Sequence, residues 1–154
     1  MVVRLIVLAL LLQGGQAGSA PSLPSPQAAP KNPLFTARQL SCSFGVYATA
    51  IWKETTPEVV SRTQDFSFKI DSIDAKKGQA RIVSGNASAI VSMIVTQTGI
   101  NLVEKTRIGN LNVTTIFVAG GHDDVFIAVH SRHLGDLTAA PSVSQNYGTC
   151  QASQ

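Results

Sequence analysis

From Gln39 onward, hydrophobic and polar residues alternate with a period of two rather than the helical period of 3.6. The segment FSFKID at 66–71 is typical, because Phe66, Phe68 and Ile70 share one face and polar residues take the other. Successive side chains of a strand point to opposite faces of a sheet, so this alternation predicts half-buried β-strands.

Turn residues divide the alternating region into seven or eight strands. The predicted strands cover 41–52, 66–71, 79–83, 88–96, 100–106, 111–118, 125–133 and 142–150. Gly45 lies inside the first of them and predicts a β-bulge there. The strand at 88–96 is apolar on both faces, which predicts that it is covered on both sides or lies centrally in the sheet.

The connections between these strands are short, and this predicts the fold class. We predict an all-β domain, an antiparallel meander that closes into a barrel-like sheet, with a β-sandwich as the alternative. At most one short helix is expected, in PEVVSRTQ at 57–64, where Pro57 takes a favoured first helical position.

The N-terminal region predicts export. Arg4 precedes an apolar run at 5–12, which is shorter than the about 20 residues that a membrane helix needs. We interpret residues 1–17 as a signal peptide and expect the Pro-rich residues 18–33 to form a disordered linker. Residues 34–154 then form a single secreted or periplasmic β-domain, and no stable membrane insertion of the mature chain is expected.

The two cysteines, Cys42 and Cys150, flank almost the whole domain. In an exported protein such a pair is typical of a disulfide bond. The bond would tie the first strand to the last, which suits a sheet that closes on itself. Two free, buried thiols are the alternative.

The charge balance argues against one class of partner. Twelve basic and nine acidic residues give a formal net charge of +3, and the basic residues form no long run. The aromatic residues belong to strand faces rather than to an exposed stacking platform. Nucleic-acid binding is therefore not predicted.

Candidate chemistry is concentrated in FIAVHSRH at 126–133. His130 and His133 lie three residues apart, so a strand points them to opposite faces and they cannot share one metal ion. His122-Asp123-Asp124, in a Gly-rich turn, lacks the ligand spacing of a calcium loop. No nucleophile elbow or phosphate loop is present. We predict no catalytic residue, metal or cofactor.

Pairing strands 111–118 and 125–133 across a hairpin centred near 121 and 122 predicts their register. Phe117 then faces Phe126 and Val113 faces His130, and Arg132 lies on the same face. If this face is the inside, a histidine and an arginine are buried side by side.

A buried charge must be paired, and the planar arginine side chain matches a carboxylate. The partner of Arg132 is therefore either a carboxylate-bearing ligand or a structural network with Glu104, Asp71 or backbone carbonyls.

Three functional hypotheses follow. The leading one is a non-enzymatic domain that binds a small amphipathic or anionic molecule through Arg132, His130, Phe126 and Phe117. The alternative is a protein-interaction module, such as a periplasmic inhibitor or a surface contact domain, whose partner is another exported protein. A hydrolase is a third possibility with no motif behind it. A ligand carrier needs an open interior, whereas an interaction module has a filled interior and an apolar patch outside.

Overall fold

A computed structural model describes residues 32–135 and 140–153 of the chain. Eight antiparallel strands form one sheet, in which each strand pairs with the next and β8 pairs with β1, so that the sheet closes in a ring. The strands are β1 (Gln39–Lys53), β2 (Thr56–Asp74), β3 (Gln79–Ser84), β4 (Ala87–Thr96), β5 (Gly99–Lys105), β6 (Leu111–Phe117), β7 (Val125–Leu134) and β8 (Ser142–Ser153). The predicted all-β, barrel-like meander is confirmed.

The described part of the chain begins with a short helix, α1 (Pro33–Thr36). The side chain of Asn32 accepts a hydrogen bond from the Leu34 N–H at 2.9 Å and caps the helix. Leu34 is buried in the interior at the end of the ring where β1 begins. The predicted signal peptide at 1–17, and the predicted linker up to residue 31, lie outside the described residues.

The ring is closed by the ladder between β1 and β8, which runs from Gln39↔Ser153 to Ala50↔Val143. Cys42 and Cys150 are direct partners in this ladder, and they form the predicted disulfide across it. Gly148 faces Phe44 two pairs further along. The disulfide is consistent with an exported domain.

Inward-facing residues of all eight strands form one hydrophobic core. The most deeply buried large side chains in it include Phe44, Leu40, Ile70, Leu102 and Ile116. Phe126, which faces Cys150, is also part of this core. The interior is therefore filled along most of its length, especially at the end that carries α1.

β4 is not covered on both faces, as one of the two predicted alternatives had it, and the other alternative, a central position in the sheet, does not apply to a closed ring. Its inward side chains Val91 and Met93 are buried, whereas Ile90 and Ile94 on the outer face are 66% and 53% exposed. The outer side of this strand is therefore uncovered.

The first two strands form a hairpin that extends beyond the rim of the ring. Their ladder runs to Lys53↔Thr56 and shifts register between Phe44 and Val46, which confirms the bulge predicted at Gly45. The ladder between β2 and β3 begins only at Lys69↔Val83. Residues 56–66 of β2 are therefore paired with β1 alone.

The helix predicted at 57–64 is wrong, because this segment belongs to β2. Val59, Val60 and Thr63 are β-branched and suit a strand, and the ladder with β1 supplies their backbone hydrogen bonds. Pro57 lies next to the start of an edge segment, where a missing N–H is tolerated.

The predicted register between β6 and β7 is wrong by one residue. Thr114, not Val113, faces His130, and Asn112 faces Arg132. The cause is the turn, since the tight hairpin closes at His122↔Val125 and residues 118–121 lead into it as an irregular segment. A shift of one residue exchanges the two faces of a strand. Phe117 accordingly lies on the outer face and is 37% exposed.

Replacing Cys42 with Ser should lower the melting temperature strongly under oxidising conditions, with no change in oligomeric state. The disulfide spans 108 residues, and closing a loop of about 100 residues stabilises a fold by about 4.7 kcal/mol in the chain-entropy model. Calorimetry of the variant, beside the wild type with and without reductant, measures this. An unchanged melting temperature would remove the disulfide as a major source of stability.

Replacing Gly148 with Ala should prevent or severely weaken closure of the ring. A Cβ atom at Gly148 would lie 1.9 Å from the backbone oxygen of Ser43 and 2.6 Å from Cα of Phe44, and backbone atoms cannot move aside cheaply. We expect a loss of stability of at least about 3 kcal/mol, measured by urea unfolding. Gly45→Ala is the matched control, because nothing lies within 4 Å of its Cβ position. Equal stability of both variants would contradict the close approach of Gly148 to the backbone of β1.

Candidate functional site

An internal cavity of about 280 Å³ lies inside the ring at the end opposite α1. Phe66, Phe68 and Ile82 form its apolar wall, and small side chains at Ala87 and Ala89 leave room beside them. This volume is just below the range of about 300–1,000 Å³ that is common for small-molecule sites.

The cavity opens where the strands that border it end at different levels. The β4–β5 ladder runs from Thr96↔Gly99 only to Ser92↔Val103, so the first five residues of β4 extend past it. On the other side of the cavity, β3 ends at Ser84 while β2 continues into the long hairpin. The ring is therefore least tightly closed between these strands, next to the cavity.

His130 forms the base of the cavity, surrounded by aromatic rings. It is 5% exposed, and its ring centroid lies 5.5 Å from that of Phe66 and 5.4 Å from that of Phe68. Its Nδ1 is 2.8 Å from the hydroxyl oxygen of Thr114, its partner on β6. The buried Thr114 side chain thus fixes the orientation of the imidazole.

The pKa of His130 is lowered from 6.5 to about 4, mainly by burial and also by the positive charge of Arg132, while the charge of Glu104 acts in the opposite direction. The imidazole is consequently neutral at neutral pH, with one ring nitrogen that donates and one that accepts. Nδ1 is engaged by Thr114, and the His130 side chain lines the cavity.

A second polar pair supports the histidine from the side of β8. The Asn146 side chain donates a hydrogen bond to the backbone oxygen of His130 at 2.8 Å, and Gln64 donates to the Asn146 side chain. Asn146 is 3% exposed. The backbone that carries His130 is therefore held by a side chain as well as by the sheet.

Three polar side chains form a row across β5, β6 and β7 at the rim of the cavity. Asn112 faces Glu104 on one side and Arg132 on the other. The Asn112 amide donates a hydrogen bond from Nδ2 to Glu104 Oε2 at 2.7 Å. Its Oδ1 is buried and has no hydrogen-bond partner among the described residues.

Arg132 does not join a structural ion pair in the described part of the chain. The three salt bridges found there join Lys53 to Glu58, Lys77 to Asp74 and Arg81 to Asp71. Asp71, one suggested partner of Arg132, is therefore occupied by Arg81. The guanidinium of Arg132 remains exposed at the rim of the cavity.

Of the four predicted ligand-binding residues, the structure brings two together. His130 and Arg132 both line the cavity. Phe126 lies deeper, in the filled core, and Phe117 lies on the outer face. Sequence reasoning missed Asn112 and Thr114, which the correct register of β6 places on the inward face. It also missed Phe66 and Phe68 as site residues, although the alternation in 66–71 predicts that they share one face.

A larger depression of about 660 Å³ lies on the outer surface across β1, β2 and β8. Outward-facing side chains such as Ser41, Ser43, Ser67 and Lys69 line it. It holds no buried titratable group, whereas the smaller interior cavity contains a histidine with a shifted pKa. We therefore place the candidate site in the interior cavity.

Two further observations concern other kinds of site. Across residues 32–135 and 140–153, no three His, Cys, Asp or Glu side chains converge as a metal site would require. In the same ranges, no helix has the length and apolar character needed to cross a membrane.

No protein-family model, curated protein or solved structure matches this chain.

Stability should fall between neutral and acidic pH because of His130. Since the folded-state pKa is about 4 and the ordinary value is 6.5, the unfolded chain takes up a proton that the folded chain does not as pH falls through this window. We expect a loss of about 2 kcal/mol in unfolding free energy between pH 7 and pH 5, measured with urea.

His130→Gln should flatten this dependence, and His133→Gln on the exposed surface should leave it unchanged. A slope that persists in His130→Gln would assign the pH dependence to other groups.

Proposed function

We propose that this protein is a non-enzymatic, exported binding domain for a small amphipathic molecule that carries an anionic group. The ligand enters the interior cavity from the end opposite α1. Its apolar part lies against Phe66 and Phe68, and its anionic group pairs with Arg132. The observation that carries the proposal is that a neutral, buried His130 and the exposed guanidinium of Arg132 line the same cavity.

The environment of His130 supports binding rather than catalysis. A general base operates best with a pKa near the working pH, whereas the pKa of His130 is lowered to about 4. The group hydrogen-bonded to Nδ1 is the Thr114 hydroxyl, which is only 1% exposed and thus withdrawn from a substrate. His130 in this setting serves as a polar anchor for a ligand.

The size of the cavity restricts the ligand. The core residues Phe44, Leu102 and Ile116 fill the interior beyond it. A long acyl chain would have to displace this packed core, which is costly. The ligand is therefore compact, with an apolar part no larger than an aromatic ring or a short branched chain.

A second candidate function is contact with another exported protein, and the outer face of β4 favours it. Ile90 and Ile94 are 66% and 53% exposed on the same side of one strand. Exposed apolar side chains are a feature of interaction surfaces. The two functions use opposite faces of the sheet and are compatible.

Arg132→Ala should weaken binding of a compact amphipathic carboxylate. Losing a charge-assisted hydrogen bond costs about 1.5–3 kcal/mol, which corresponds to roughly 10- to 100-fold in Kd. Isothermal titration calorimetry with 3-phenylpropanoate measures this directly. Native mass spectrometry of the protein recovered from its exported fraction tests whether a retained small molecule is lost in the same variant.

Two variants serve as controls for this experiment. Lys69→Ala removes a positive charge from the outer surface and should leave binding unchanged. Ala89→Leu fills the cavity without altering charge and should abolish binding. The proposed function would be refuted if the wild type and Arg132→Ala are both recovered from the exported fraction without a ligand and the wild type does not bind the probe.

A further inference from the structure

The rim of the cavity carries two opposite charges on one wall. Glu104, Asn112 and Arg132 occupy consecutive positions across β5, β6 and β7. Neighbouring strands lie about 4.8 Å apart, so the Cα atoms of Glu104 and Arg132 are separated by roughly 10 Å. Both side chains line the same cavity.

Asn112 lies between these two charged residues. Its Nδ2 group holds the Glu104 carboxylate at 2.7 Å, and no ion pair joins Glu104 to Arg132 among the described residues. The other end of the amide, Oδ1, is buried and has no hydrogen-bond partner among the described residues. Among the described residues, the wall thus presents two groups without a partner. The guanidinium of Arg132 joins no salt bridge, and Oδ1 of Asn112 accepts no hydrogen bond.

This arrangement discriminates between ligand charges. A simple anion that pairs with Arg132 is repelled by Glu104. A simple cation that pairs with Glu104 is repelled by Arg132. A molecule with both charges is attracted by both groups. His130 adds no charge of its own at neutral pH, so Glu104 and Arg132 alone determine the charge preference of the site.

We infer that the cavity binds a small zwitterion, such as a free α-amino acid with a compact apolar side chain. Its carboxylate pairs with Arg132, its ammonium group with Glu104, and its side chain packs against Phe66 and Phe68. The inference rests on the proposed function, because it assumes that the interior cavity is the binding site, and it specifies the class of ligand.

The test compares three probes with the same aromatic ring. Phenylalanine carries both charges, 3-phenylpropanoate only the anionic one, and 2-phenylethylamine only the cationic one. Titration calorimetry on the full mature chain at pH 7 should show phenylalanine binding at least about tenfold more tightly than either relative, as expected for one additional charge-assisted interaction.

Glu104→Gln removes the carboxylate charge while its remaining side-chain oxygen can still accept the Asn112 hydrogen bond. It should reduce the preference for phenylalanine over 3-phenylpropanoate to within about threefold, mainly by strengthening 3-phenylpropanoate and weakening phenylalanine. Glu58→Gln, on the exposed hairpin, is the matched control and should preserve the wild-type preference.

The outcomes separate the inference from the proposal beneath it. If 3-phenylpropanoate binds as tightly as phenylalanine, and does so through Arg132, the ligand is an anion and the zwitterion inference is wrong while the proposed function stands. If only 2-phenylethylamine binds, in a Glu104-dependent manner, both the zwitterion and the Arg132 anchor are wrong. If none of the three binds, and the exported protein retains no small molecule, the interior binding function falls as well.

Discussion

The whole architecture depends on the ladder between the first and last strands. Closure of a sheet removes its exposed edges, but it requires the ends of the chain to meet in register. Here the inward-facing pair Cys42 and Cys150 is joined covalently, and the neighbouring Gly148 lets β8 approach Phe44 without a side chain between them. These two features lie two pairs apart in one ladder, on the same inward face. Without that ladder, the hydrophobic residues of β1 and β8 would line an open edge.

The same closure explains why the cavity lies at one end. Leu34 of α1 and the large core residues fill the interior near the start of β1. At the other end, the bulge at Gly45 and the long hairpin carry β1 and β2 past the rim, while β3 and β4 turn back early. The strands bordering this end have unequal lengths, so the core residues cannot complete a further layer. The cavity is the space left by that missing layer.

Much of this fold follows from the sequence because the relevant signals are local. Alternation with a period of two is set by strand geometry, and Gly45 and the cysteine pair were informative without any knowledge of partners. The segment at 57–64 was misassigned because its strand character depends on a ladder with residues 46–52, which no local pattern reports. The face of β6 was misassigned because a bulged turn changes register by one residue. That single shift exchanged Phe117 for Asn112 and Thr114 in the predicted site.

The site residues differ in how far sequence alone can assign them. The inward position of His130 follows from strand parity, but its neutral state depends on three phenylalanines and Thr114, which come from three other strands. With a neutral imidazole at the base of the cavity, the charged side chains lie at its rim, where Arg132 is exposed to water. Burying Arg132 as deeply as His130 would require a permanent counter-charge. The exposed position of Arg132 therefore lets water solvate a guanidinium that has no ion-pair partner among the described residues.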